Sequence, residues 1–443
     1  MNNYYPSIKE NEAKVRPIAF YLPQFHPVKE NSVWWGEGFT EWTNVARAKP
    51  NFEGHYQPHV PKDLGFYDLR IVDVMRQQAD LARSHGIFGF CFYYYWFAGR
   101  RILELPLNQF VESDIDFPFC YCWANENWTK TWDGQEKDVL LAQNHSDEDD
   151  LAFIHNLIPT FKDSRYIKVD GKPMLLVYRV DLFPDMKKTA AIWRDVARAE
   201  GFPDLHLCAV QFYGIDSPDE YGFDAAVEFP PHKFIGPDNK PSNLPVLSNK
   251  DFAGGITDYR KVLAQSTNRQ AVNYTWYRGV VPSWDNTARR QNTSHIMLNS
   301  SPQLYRFWLQ YLVDFTKKYN KPTENFVFIN AWNEWAEGAH LEPDLKYGRA
   351  YLEETLKAVN NKKIDLAEVI ANNDLLSFIS RNLNEPQVKL LSDLTSVIDI
   401  PGTLSNTGNV EYTSTFKYKF KERLRNSFPG VFNALKKIYR TFR

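Results

Sequence analysis

The sequence predicts an α/β protein of the (β/α)8 TIM-barrel class, continued by a helical extension and a basic amphipathic tail. Eight short runs rich in aromatic and β-branched residues follow one another, and most intervals between them carry a helical pattern. Each run ends in polar or aromatic residues, as barrel strands do where functional groups gather at their C-terminal ends. The first run leads into Leu22, Pro23, Gln24, Phe25 and His26, whereas a doubly wound open sheet normally announces a glycine-rich phosphate turn there.

The strand runs are Pro17 to His26, Gly86 to Phe97, Phe117 to Trp128, Lys172 to Arg179, Leu205 to Gly214, Ala225 to Pro231, Asn273 to Asp285 and Phe326 to Glu337. Between the first two, Ile71, Val74, Met75, Gln78, Leu81 and Ala82 recur at helical spacing and stop at Gly86, a suitable C-terminal residue for a helix. Further helices are expected over Asp147 to Phe161, Met186 to Gly201, Thr257 to Gln265, Pro302 to Tyr319 and Tyr347 to Val359. The expected division is a polar segment 1–15, a barrel 16–360, a helix and linker 361–415, and a basic tail 416–443.

A chain of 443 residues with 24% charged residues and a net charge of −2 is globular, and its balance excludes a broad nucleic-acid surface. The aromatic share of 15% suits both a large core and a site for the flat apolar faces of sugars. Cys91, Cys120, Cys122 and Cys208 lie in apolar runs and read as buried reduced thiols, which points to a reducing compartment. Met1 to Arg16 lacks the apolar segment of a secretory signal, so a cytoplasmic location is expected. Residues 416–443 hold nine Lys/Arg against Glu422, a local net of +8 that leaves −10 elsewhere. Phe416, Phe420 and Leu424, then Val431, Leu435, Ile438 and Phe442, give that segment an apolar face. It reads as an anchor to an anionic membrane surface; the alternative is a helix docked on the barrel.

The strongest chemical signal is Asn330 to Gly338 at the end of the eighth run, where Asn333, Glu334, Trp335 and Glu337 crowd together. Glycosidic chemistry needs paired carboxyl groups, one protonated and one ionised, and Glu334 and Glu337 are the catalytic candidates. In a continuous strand they face opposite ways, roughly 10 Å apart. A helical turn after Glu334, ended by Gly338, brings their Cβ atoms within roughly 5–6 Å. The alternative is a capping turn with solvated acids.

The third run ends in a similar cluster, and Asn125, Glu126 and Trp128 are expected to bind substrate. Tyr95 and Trp96 from the second run, Arg179 after the fourth, and Trp284 and Asp285 after the seventh join them, as do Asn333 and Trp335. The long first loop is dense in aromatic residues, which implies a packed cover over a site, with Glu41 and Trp42 as its contributors. His26, His55 and His59 match no compact ligand spacing, so no metal or other cofactor is expected. Asp114, Ile115, Asp116 precede the third strand, at the non-catalytic end, and read as a turn.

Gly36 to Asn44, His55 to Pro58, Asp63 to Arg70, Trp123 to Trp128 and Asn333 to Gly338 together resemble the WbsX-like family of bacterial surface-polysaccharide biosynthesis proteins, itself similar to glycoside hydrolase family 99. The resemblance spans about residues 16–355. It implies a TIM barrel acting on glycans of an O-antigen, capsule or lipopolysaccharide, with members often labelled glycosyltransferase. It further implies that Glu334 deprotonates the sugar's own 2-hydroxyl, giving a 1,2-anhydro intermediate with retention, while Glu337 is the general acid/base, with no metal required. The sequence departs from the family-99 pattern at Ala336, where the hydrolases carry His, and lacks a counterpart of their Glu, Pro, Tyr motif. The expected substrate is a glycan or lipid-linked oligosaccharide. A nucleotide-sugar-dependent transferase and a non-catalytic glycan-binding protein are the rival readings.

Overall fold

The structure, a computed structural model, describes residues 14–129, 139–212 and 214–360. The helix and linker expected over 361–415 and the basic tail 416–443 lie outside these residues.

Eight parallel strands form a barrel: β1 (Arg16–Tyr21), β2 (Gly89–Phe97), β3 (Phe119–Trp123), β4 (Lys172–Val177), β5 (His206–Gln211), β6 (Ala225–Glu228), β7 (Thr275–Tyr277 with Gly279–Val280) and β8 (Phe326–Ile329). Seven fall within the runs read from sequence, and β1 begins one residue before its run, at Arg16. Neighbours in the chain are neighbours in the sheet, with Ile18 opposite Gly89, Phe90 opposite Phe119, and Arg16 opposite Phe326.

Closure occurs within β7. Its first half pairs with β6, Ala225 opposite Thr275, and its second half with β8, Gly279 opposite Phe328. The change of partner happens at Arg278, whose carbonyl accepts the Phe328 N–H at 2.9 Å. Glu228 accepts from the Arg278 Nε at 2.8 Å, from Arg269 at 2.7 Å and from the Gly279 N–H at 3.1 Å. Arg278 and Glu228 are both buried, so each charge needs the other to offset the cost of leaving water. Residue 279 must be glycine, because a Cβ there would stand 2.1 Å from the Glu228 carbonyl oxygen.

The barrel is filled largely by rings. Phe20 meets Phe229 across the interior at 5.0 Å between centroids, with Tyr93 and Phe328 at 5.7 and 5.6 Å. Trp123, Trp193, Trp276, Trp308, Trp332 and Trp335 are also fully buried, so much of the aromatic share serves the core. All four cysteines are buried free thiols, as expected.

Helices α1 (Val72–Ser84), α2 (Glu104–Glu112), α3 (Asp147–Phe161), α4 (Met186–Ala199), α5 (Tyr259–Thr267), α6 (Pro302–Tyr319) and α7 (Ala350–Val359) occupy the connections. The sequence reading missed α2. Its N-cap is Leu103, which offers no capping side chain, and Pro106 sits in its first turn, where a missing N–H costs nothing. The helix expected from Thr257 starts two residues later, since Gly255–Asp258 pairs as a small parallel strand with His295–Leu298. Asp114 lies in the turn before β3 and bonds Arg76 at 2.6 Å. Among the described residues, no helix is long and apolar enough to cross a membrane.

Candidate active site

Just beyond β8, the Asn333 amide donates to the Leu22 carbonyl at 3.0 Å and accepts the Leu22 N–H at 2.7 Å. Asn333 is wholly buried and pins the chain leaving β8 to the end of β1. Asn333–Glu334 then pairs with Ala339–His340 in a two-rung hairpin whose tip, Trp335–Glu337, is one 3-10 turn. Gly338 closes it with φ 60°, and a Cβ there would meet the Asp285 Cβ, N and O at 3.0 Å. Both the left-handed backbone and the close approach of the β7 loop therefore demand glycine. The turn after Glu334 read from sequence is present.

That turn delivers Glu334 and Glu337 to a single cation. Arg289, on the short helix Thr287–Arg290, donates from NH1 to Glu337 at 2.6 Å and from NH2 to Glu334 at 2.9 Å. Its Nε donates to Glu41 at 3.2 Å. Glu41 stands at the start of helix Glu41–Arg47, behind the Thr40 cap, and is buried. Three carboxyl groups from two distant loops thus share one guanidinium.

Burial pushes Glu334 up to about 8; Arg289 opposes the rise, and Glu337 and Glu41 add to it. Burial also raises Glu337, again opposed by Arg289, although about a fifth of its side chain meets solvent. Burial works against the charge on Arg289, but the three glutamates outweigh it and raise the guanidinium well above its ordinary range. At neutral pH the pair therefore keeps a proton, held mainly on Glu334, the division of protonation states on which acid/base chemistry between carboxyl groups depends.

The floor is a further buried acid, Glu342. Glu342 accepts from Tyr67 at 2.8 Å, from Gln78 at 2.7 Å and from the Trp335 indole at 2.6 Å, and burial pushes it up to about 7. Trp335 stacks on His340 at 3.8 Å and packs against Trp42, whose indole donates to the Tyr67 carbonyl at 2.7 Å. Trp42 and Trp335 therefore back the turn.

On β2 the alternation of side chains corrects one assignment. Tyr93 and Tyr95 face the glutamates: Glu334 helps raise both hydroxyls beyond the rise that burial causes. Trp96 faces the other way, its indole donating to Asp149 of α3 at 2.9 Å, so it is a packing residue of the outer layer. Tyr95 accepts from Gln24 at 2.9 Å and meets Trp128 edge-on at 5.4 Å, and Trp128 meets Trp34 at 5.6 Å. These rings form an aromatic wall suited to a sugar face.

At the β3 and β4 ends the Asn125 amide latches both the N–H and the carbonyl of Arg179, each at 2.8 Å. Arg179 bonds Glu126 at 2.7 Å and chelates Asp181, leaving the half-exposed Glu126 on the rim. Asp285 and Trp284 serve the scaffold. Asp285 accepts from His55 at 2.5 Å, Gln57 at 2.8 Å and the Thr287 N–H at 3.0 Å. Burial would raise its carboxyl, yet these donors, His55 foremost, hold it below the ordinary range. Trp284 is buried against His232.

Sequence reading missed Arg289. Its one signal was the need for a cation among several buried acids, with Arg289 and Arg290 close behind Asp285.

The family described as Glycosyltransferase WbsX matches residues 17–355. Proteins named "Uncharacterized protein WxcX", from two strains of Xanthomonas campestris pv. campestris, are 44% identical over 88% of this chain and 58% of their own length. The chain thus spans under two thirds of the curated relatives it matches. Among solved structures, the GH99 endo-alpha-mannosidase of Bacteroides thetaiotaomicron aligns over 78% of this chain and 96% of its own, with 15% identity and a TM-score of 0.50, a likeness of fold.

The raised carboxyl makes a prediction about stability. A group that titrates at about 8 when folded and near 4.5 when unfolded stabilises the fold below pH 4.5, and that contribution is lost as pH rises through 8. Glu334→Gln should remove this loss, leaving the variant more stable than the wild type at pH 8 by roughly 1–2 kcal/mol in urea unfolding, with the difference shrinking towards pH 5. Equal or lower stability of the variant at pH 8 would contradict the assignment.

Proposed function

We propose, from the premise that this chain belongs to the WbsX glycosyltransferase family, that it makes or cleaves glycosidic bonds of a bacterial surface polysaccharide through Glu334 and Glu337. The observation that carries the reading is the convergence of both carboxyl groups on Arg289, with a proton retained between them at neutral pH.

A sugar hydroxyl is a poor acid, and a carboxylate whose conjugate acid titrates at about 8 is a stronger base than an ordinary glutamate. This suits Glu334 to remove the proton of the 2-hydroxyl, whose oxygen then attacks the anomeric carbon as the glycosidic bond breaks. In the reactive form the one proton of the pair sits on Glu337, nearer solvent, which donates it to the departing oxygen while Glu334 is the ionised base. In the second half, an acceptor hydroxyl opens the three-membered ring, giving its proton to Glu337, and O2 recovers its own from Glu334. Tyr95 and Trp128 would flank the sugar, and Glu126 and Arg179 would meet its hydroxyls further out. The barrel, residues 16–360, is the catalytic domain in this account. The net charge of +8 over 416–443 would hold it to an anionic membrane surface where lipid-linked glycans reside.

The description of the family as a glycosyltransferase favours a second reading, transfer from a nucleotide sugar. Mass-spectrometric product analysis with the host's lipid-linked glycan, with and without nucleotide sugars, separates the two. Shortened or rearranged glycan without a donor is expected; strictly donor-dependent extension would support the second reading. Glu334→Gln and Glu337→Gln should each lower turnover at least 1,000-fold while glycan binding persists. Binding without turnover in the wild type would instead mark a glycan-binding protein.

The pH profile separates the two carboxyl roles. If Glu334 acts as the base, kcat/KM rises with pH and levels off above about 8 on the side that Glu334 controls. A fall through pH 8 with no rising limb would make Glu334 the acid and reverse the roles.

A further inference from the structure

We infer that His59, His340 and Asp344 form a divalent-metal site of zinc type that clamps the long first loop to the segment following β8. One ligand atom from each of the three buried residues lies within 4.8 Å of the other two. The His59 Nδ1 stands 2.9 Å from the His340 Nε2, and the His340 Nε2 stands 3.9 Å from an Asp344 carboxylate oxygen. Bonds of about 2.0–2.1 Å in tetrahedral array place neighbouring ligand atoms about 3.3 Å apart, midway between those two separations. The third separation, His59 to Asp344, is at most 4.8 Å, so completing the set takes a relative movement of up to about 1.5 Å.

Orientation supports this reading. The His340 Nδ1 lies 2.9 Å from the Glu342 carbonyl, so it carries the ring proton and the Nε2 lone pair is directed at His59. Without metal, the His59 Nδ1–H donates to the His340 Nε2; on binding, His59 moves its proton to Nε2 and offers Nδ1. His59 also borders a cavity of about 200 Å³ together with His55, Tyr56 and Asp285, a route by which an ion would reach that ring.

The site lies away from Arg289 and its role is to hold. The Lys62 N–H already donates to the Pro343 carbonyl at 2.9 Å, and the Leu345 N–H to the Val60 carbonyl at 2.9 Å. A metal would lock that junction between the loop that supplies Glu41 and the segment that supplies Glu334 and Glu337. The spacing of His26, His55 and His59 gave no such signal because two of the ligands come from nearly 300 residues away.

The test is a titration of chelator-treated full-length protein with Co(II), followed by visible absorption, and elemental analysis after Zn(II) loading and desalting. One metal per chain is expected, with the intense visible bands of a four- or five-coordinate Co(II) site. Affinity should fall at least tenfold in His340→Ala and in Asp344→Asn, while Asp114→Asn, at the far end of the barrel, should bind as the wild type does. Absence of bands and of retained zinc in the wild type overturns the proposal without recourse to any variant. Bands unchanged in both His340→Ala and Asp344→Asn overturn it equally.

Discussion

Three glutamates around one guanidinium, Glu41 and Glu334 buried and Glu337 partly so, set the terms for the upper half of this barrel. Removing a carboxylate from water costs several kcal/mol even after relaxation, and Arg289 supplies one positive charge against three potential negative ones. The deficit is met by keeping a proton: Glu334 stays protonated up to about pH 8. The surrounding architecture keeps this costly arrangement in place. Asn333 fixes the approach from β8, Gly338 lets the turn pass against Asp285, and Asp285 draws His55 and Gln57 of the first loop onto the β7 loop. Glu342, its hydrogen bonds supplied by Tyr67, Gln78 and Trp335, holds the underside.

Much of the barrel was legible in the chain because its signals are local. Runs of aromatic and β-branched residues mark all eight strands, and Asp147–Phe161 and Pro302–Tyr319 appear with the bounds their patterns gave. The α2 helix was not legible, since a leucine N-cap and a proline in the first turn imitate a loop. Neither was the partner change within β7, which rests on a long-range ion pair between Glu228 and Arg278.

The site divides along the same line. The turn after Glu334 could be read because Gly338 follows at the right distance, and Glu41 because it lies in an aromatic-rich loop. What holds them could not. Arg289 lies 248 residues from Glu41, and nothing in its own neighbourhood marks it as the shared partner. Tyr93 and Trp96 show the limit of a run buried on both faces: with β2 buried throughout, alternation identifies two sets of residues but not which set faces inward. Asn333, Asn125 and Asp285 were picked out for polarity near a strand end, and each spends that polarity on the scaffold, which is how a barrel rim keeps reactive groups still.

The resting site is therefore a strained electrostatic compromise whose central feature is the proton on Glu334. Difference infrared spectroscopy of the carboxyl C=O stretch, comparing wild type with Glu334→Gln at pH 7 and again at pH 9.5, reads that proton directly. The account predicts a protonated-carboxyl band in the wild type at pH 7 that is absent from the variant and disappears by pH 9.5. Identical wild-type and variant spectra in that region at pH 7 would mean that Glu334 is already ionised beside Arg289, and would contradict it.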